Sequence, residues 1–194
     1  EETSELLQMR TNYLGPLSLI RMVLPTMREK RRGRIINISS VSGMMAMPTM
    51  ASYSASKFAL EGATEALWYE AKPFGIDVCL VQPGFIHSDS FRKVRMSRKA
   101  EFSEKLAGPH SEFYADMTPF IERLMSFSTS TPEKIAAKVI RLIEKRNPPL
   151  RITVTADAAF FNFLRRYLPH NLFHHLMFRL LPGSGYWGGV LLRE

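Results

Sequence analysis

Long stretches with helical periodicity alternate in this chain with short, almost wholly apolar runs, and that alternation restricts the fold more than any other feature. Leu6, Leu7, Met9, Tyr13, Leu17, Ile20 and Leu24 recur at helical spacing, from a cap at Thr3 or Ser4 to a stop at Arg32-Gly33. Arg34 to Ser39 then reads as a buried strand. A second helix over 52–72 ends at Pro73-Phe74-Gly75 and leads into the apolar run Ile76 to Gln82. The segment 85–127 has mixed polarity and predicts a lobe of short helices. Thr131-Pro132-Glu133 opens a further helix, with proline at its first position, and this helix runs to about Lys145. Asn147-Pro148-Pro149 turns the chain into a strand over 150–155. Strands joined through helices pair in parallel, so the pattern predicts an α/β fold around a parallel sheet. No internal repeat or low-complexity segment interrupts it.

Composition removes several classes of function. Hydrophobic residues make up 45% of the chain, enough to build a substantial core. The net charge of +8 raises the question of nucleic acid. The cations are spread over Arg28 to Arg32, Arg92-Lys93, Arg98-Lys99 and Arg165-Arg166, without aromatic residues interleaved at regular spacing for base stacking. Lys30 to Arg34 sits at a helix C-terminus, where cations oppose the dipole. We therefore expect no nucleic-acid partner. Cys79 is the one cysteine, inside an apolar run, and reads as a small buried residue in a reducing compartment. Disulfides and zinc sites need more ligands than this, and no metal site is expected. No run of about 20 apolar residues is present to span a bilayer. These features fit a cytoplasmic protein.

The chemistry concentrates at Tyr53-Ser54-Ala55-Ser56-Lys57. A phenol and an ammonium four residues apart share one helix face. A fixed cation favours the phenolate and lowers the tyrosine's pKa, so such a pair can pass a proton to or from a reacting oxygen. Upstream, the strand Gly33-Arg34-Ile35-Ile36-Asn37-Ile38 ends in Ser39-Ser40, and Ser40 precedes Tyr53 by 13 positions. Farther upstream lies Asn12-Tyr13-Leu14-Gly15. Downstream lies Val81-Gln82-Pro83-Gly84-Phe85-Ile86-His87-Ser88.

In these motifs, their order and their spacing, residues 1–155 resemble the C-terminal part of a short-chain dehydrogenase/reductase. The family's Asn, Ser, Tyr and Lys are met at Asn12, Ser40, Tyr53 and Lys57. Its Pro-Gly-x-(Val/Ile)-x-Thr pattern is met at Pro83 to Ser88, with serine in place of threonine. The resemblance implies a Rossmann-like, doubly wound sheet and a cofactor that is NADP or NAD. It implies Asn12, Ser40, Tyr53 and Lys57 as catalytic residues, and Tyr53, Lys57, Pro83, Gly84, Ile86 and Ser88 as cofactor contacts. It further implies that the Asn12 segment is kinked and holds a water beside Lys57, and that the protein is a homodimer or homotetramer. The 13-residue spacing favours Ser40 over Ser39 as the catalytic hydroxyl, and His87 falls at a variable loop position.

The family's glycine-rich phosphate turn has no counterpart here. The expectation is therefore an N-terminally truncated fold, with a catalytic part at 1–155 and a basic amphipathic extension at 156–194. The expected function is hydride transfer between a nicotinamide cofactor and a small apolar alcohol or ketone, such as a steroid, retinoid or lipid. A catalytically incomplete scaffold is the alternative. Met44, Met45, Met47 and Met50 crowd the loop between Ser40 and Tyr53. They fit either an apolar substrate or core filling. Phe91, Phe102, Phe113, Tyr114 and Phe120 have the same bias. In the extension, residues 158–181 are dense in Phe and Leu, interleaved with Arg165, Arg166, His170, His174, His175 and Arg179, and Pro169 divides them into two amphipathic helices. Such a segment suits a peripheral membrane contact, a lid over an apolar pocket, or a subunit contact.

Overall fold

The computed structural model describes residues 2–88, 96–105 and 110–189. Phe91 and the pair Arg92-Lys93 lie outside the described residues. The first helical stretch is divided. Helix α1 (Glu2–Met9) passes through a wide π turn at Arg10–Leu14 into α2 (Gly15–Glu29). Pro16 has no N–H to give the Asn12 carbonyl four residues back. The Gly15 N–H instead reaches the carbonyl of Arg10, five residues back. Periodicity alone predicts one unbroken helix here; the proline removes the donor that would have continued it.

Among the described residues three strands follow: β1 (Gly33–Ile38), β2 (Ile76–Gln82) and β3 (Arg151–Thr153). They form a sheet in the order β1-β2-β3, and both pairs are parallel, with Ile35 opposite Val78 and Leu80 opposite Arg151. Helix α3 (Ala51–Ala71) connects the first two strands. Helices α4 (Arg98–Lys105), α5 (Ser111–Phe127) and α6 (Pro132–Glu144) lie between the second and third. β2 is central, and Val78, Cys79, Leu80 and Val81 are at most 1% exposed. Their side chains alternate between the two faces, as the pleat requires. Ile35, Ile76 and Val78 pack with Ile20 of α2 and Leu67 and Ala71 of α3. Cys79 and Val81 pack with Ile135 and Leu142 of α6. Helices thus cover both faces, which is the doubly wound arrangement. Burial pushes the Cys79 thiol up, in keeping with a packing residue.

Two segments differ from the sequence pattern. β3 stops at Thr153 rather than 155, because Thr155 leaves the sheet to cap helix α7 (Ala156–Tyr167), accepting from the Ala158 N–H. The lobe expected to hold only short helices contains α5, 17 residues long, which buries Met117 and Ile121. The tail follows the expected division. α7 and α8 (His170–Leu180) flank Pro169. α7 is part of the packed body, since Ala158 is fully buried against Val41 and Met44. Among the described residues no helix is long and apolar enough to cross a membrane.

Candidate active site

A parallel sheet delivers all its strand ends to one edge, where ligands bind in open α/β folds. At that edge β1 ends in Ser39-Ser40, β2 in Pro83-Gly84, and β3 runs on to Thr155. Cross-strand hydrogen bonds hold these ends together: Ser39 N to Val81 O at 2.8 Å, Val41 N to Pro83 O at 2.7 Å, and Val154 N to Gln82 O at 3.2 Å. The two serines are sorted by the strand's exit. Ser39 is 3% exposed and turns inward towards Gly43. Ser40 is half-buried and caps the short turn Val41–Gly43 by accepting from the Ser42 N–H, and its hydroxyl neighbours the Tyr53 phenol.

Tyr53 and Lys57 sit in the first turns of α3. Lys57 Nζ donates to the Ile38 carbonyl at 2.9 Å and stands 5.9 Å from the centroid of the Tyr53 ring. The sequence predicts that the lysine lowers the phenol's pKa. The structure differs, because burial dominates and pushes the Tyr53 phenol above its ordinary value, with the neighbouring Ser40 hydroxyl offsetting part of the rise. Burial likewise pushes the Lys57 ammonium down, opposed by the charge of Glu61 one turn on. Asn12 reaches the same helix from the π turn. Its Nδ2 donates to Ser56 Oγ at 3.1 Å, and Ser56 Oγ donates to the Tyr53 carbonyl at 2.7 Å. Asn12, Ser40, Tyr53 and Lys57 are therefore brought to one place. A phenol beside a hydroxyl, with an ammonium one turn away, can hold an oxygen between the two hydroxyls and move a proton at it.

The Pro83–Ser88 loop is fixed from α7. Gly84 N donates to Thr155 Oγ1 at 2.8 Å, and Phe85 N donates to Asp157 Oδ2 at 2.7 Å. A Cβ on Gly84 would stand 1.9 Å from Asp157 Oδ2, so only glycine permits this approach. Ile86 packs on the α6 side of the sheet, and the His87 N–H donates to the Ser130 carbonyl at 2.8 Å. Ser88 is half-buried at the end of this loop. Three of the loop methionines are core residues. Met44 packs on Ala158, while Met45 and Met47 pack with Met117, Ile121 and Phe173; Met50 is half-buried beside them.

Sequence reasoning missed five residues that brace this edge: Ser56, Glu61, Gln82, Thr155 and Asp157. Thr155 followed by Asp157 carries a legible helix-start signal. The others are recognised only through distant partners.

Residues 2–99 match a family model described as short chain dehydrogenase. A 3-ketodihydrosphingosine reductase of Bacteroides thetaiotaomicron is 38% identical over 183 residues, which is 91% of this chain and 64% of that protein. A solved short-chain dehydrogenase from Streptomyces avermitilis superimposes with a TM-score of 0.61 at 30% identity, over 87% of this chain and 57% of that one. A short chain dehydrogenase from Burkholderia cenocepacia, solved in complex with NADP, gives a TM-score of 0.66 at 22% identity, over 91% of this chain and 60% of that one, and shares the fold. The chain spans less than two thirds of the length of each of these relatives. The family match covers half of the chain and includes Asn12, Ser40, Tyr53, Lys57 and the Pro83–Ser88 loop, so the chain belongs to the short-chain dehydrogenase/reductase family.

Proposed function

We propose that this chain carries the proton-handling part of an oxidoreductase that reduces an apolar, lipid-like ketone, or oxidises the matching alcohol, with NADP or NAD. The observation that carries this reading is the meeting of Ser40, at the end of β1, with the buried Tyr53 phenol, and of the Lys57 ammonium 5.9 Å from the centroid of the same tyrosine ring. The residues suit such a cofactor. An ammonium has three donors; Lys57 gives one to Ile38, and ribose hydroxyls are natural acceptors for the others. Ile38, at the same edge, is 45% exposed and offers an apolar surface to a ring. The cofactor would supply or take the hydride.

Every other step falls to the chain. Tyr53, kept protonated by burial, gives its proton to the substrate oxygen in the reducing direction and takes it back in the oxidising direction. Ser40 donates a hydrogen bond to that oxygen and stabilises the charge that develops on it. Lys57 orients the ribose and supplies positive charge beside the phenol. The Asn12 segment, with a carbonyl that Pro16 leaves without its helical donor, suits a water on the path from Lys57 to solvent. Pro83, Gly84, Ile86 and Ser88 form the loop that would cover the nicotinamide.

The similarity to a 3-ketodihydrosphingosine reductase supports a long-chain ketone as the substrate class. With the full-length protein, oxidation of NADPH or NADH should be faster with 3-ketodihydrosphingosine than with short, water-soluble ketones. Equal rates with both would remove the lipid-like class. No cofactor oxidation with any ketone would favour the scaffold reading.

The tail supports a further part of the proposal, contact with an anionic membrane surface. The solvent side of α7 presents Phe160, Phe163 and Tyr167 at 55%, 58% and 65% exposure. On α8, Leu172, Leu176 and Leu180 recur every four residues, and the helical phase puts His175 and Arg179 beside them. No acid occurs between Asp157 and Glu194. Apolar stripes edged by cations fit the interface of anionic lipids. The full-length protein should float with phosphatidylserine-containing vesicles but not with neutral ones. Phe163→Ser with Leu172→Ser and Leu176→Ser, all at exposed positions, should weaken that partition by about tenfold or more. Flotation that ignores lipid charge, or survives these substitutions, would contradict the contact.

A further inference from the structure

Behind the Tyr53–Lys57 face lies a carboxylate with no part in the chemistry proposed above. Glu61 is 7% exposed and follows Lys57 by four residues on α3. Unpaired, such a buried charge would be strongly destabilising. It is paired twice. Gln82 Nε2 donates to both its oxygens, at 2.8 and 3.0 Å, and Arg151 Nε donates to Oε2 at 3.3 Å. Arg151 continues through Nη2 to Glu65 Oε2 at 2.6 Å. A ladder of alternating charge results: Lys57, Glu61, Arg151, Glu65. A fourth element presses on the same group. A Cβ on Gly43, three residues after Ser40, would stand 3.0 Å from Glu61 Cγ. Glu61 thus touches the helix of Tyr53 and Lys57, the last residue of β2 before Pro83-Gly84, β3, and the turn that Ser40 caps.

We infer that Glu61 is a positioning residue of this site: its carboxylate locks the Lys57 helix to the strand end that carries the Pro83-Gly84 loop, and sets a negative charge one helical turn from Lys57. The inference rests on the reading of Lys57 given under Proposed function. The charged and titratable groups facing this pair are Tyr53 and Glu65 from α3 and Arg151 from β3. Gln82 from β2 and the Ile38 carbonyl from β1 are the neutral ones. Burial disfavours the Lys57 ammonium and Glu61 favours it, so the sign of each substitution follows. Glu61→Gln removes the favourable anion, and Lys57 should lose its proton at lower pH. Arg151→Gln removes a neighbouring cation that also offsets Glu61, and Lys57 should lose its proton at higher pH. Arg151 is 38% exposed in its side chain and remains next to water, so this second variant tolerates the change if the first folds poorly.

The test reads Lys57 without turnover. Acetylation of Lys57 in the full-length protein is followed by mass spectrometry across pH, for the wild type, Glu61→Gln and Arg151→Gln. The expected result is a midpoint shifted down in Glu61→Gln and up in Arg151→Gln. Glu61→Asp, which keeps the charge but shortens the reach to Gln82, should keep the wild-type midpoint. Its kcat should nevertheless fall, by roughly tenfold, as expected for a displaced site. Midpoints that stay together in all variants, or move in the same direction in the first two, overturn the charge role. Wild-type kcat in both Glu61 variants overturns the positioning role. If no form of the protein turns over, the midpoints still decide the charge role on their own.

Discussion

Replacing Tyr53 with phenylalanine in the full-length protein should lower kcat by at least about a hundredfold, the usual cost of losing a general acid–base group. The ring remains, so the packing of α3 against the Ser40 turn is kept, and only the hydroxyl beside Ser40 is lost. Binding of the cofactor, measured by fluorescence titration, should change little, because Lys57 and the Pro83–Ser88 loop are untouched. Burial raises the phenol's pKa, so the wild-type group is protonated throughout the neutral range, as a proton donor must be. A variant that keeps wild-type turnover would show that another group supplies the proton.

Ser40→Ala should cost a similar factor in kcat, since removing one donor to a developing oxyanion costs about a hundredfold or more. Ser40 has a second task, which a simple activity loss would confuse with the first. Its Oγ accepts from the Ser42 N–H and caps the turn that follows β1. Losing such a cap costs about 1 kcal/mol of stability, a small change beside the effect on turnover. A thermal melt separates the two. The melting temperature should fall by a few degrees at most, with turnover reduced far beyond what that shift explains. Turnover that falls only in step with the folded fraction would make Ser40 a structural cap and nothing more.

The two tasks of Ser40 show where sequence reading works on this chain. Tyr53 and Lys57 are legible because a helix fixes the geometry of residues four apart, whatever surrounds it. The strands are legible because both faces of β1 and β2 are covered, leaving nearly unbroken apolar runs at Ile35-Ile36 and Val78 to Val81. Local rules also locate the break at Pro169 and the helix start at Thr131. The π turn at Arg10–Leu14 has a local cause in Gly15-Pro16, but periodicity alone passes over it. The braces are another matter. Glu61 meets Arg151 across 90 positions, and Asp157 meets Phe85 across 72. No local pattern pairs them, and either carboxylate reads as an ordinary solvated charge. The methionine loop is ambiguous for the same reason. Its partners Met117, Ile121 and Phe173 come from α5 and α8, and only the fold shows that they fill a core.

Direct observation of hydride delivery tests the central claim most closely. The full-length protein is incubated with 3-ketodihydrosphingosine and with NADPH or NADH carrying deuterium at both hydrogen positions of the nicotinamide C4, and the alcohol product is examined by mass spectrometry and NMR. One deuterium is expected at the carbinol carbon in the wild type, with labelled product nearly absent in Tyr53→Phe at equal protein and time. Product that forms without label, or labelled product that forms equally fast in Tyr53→Phe, would contradict that claim.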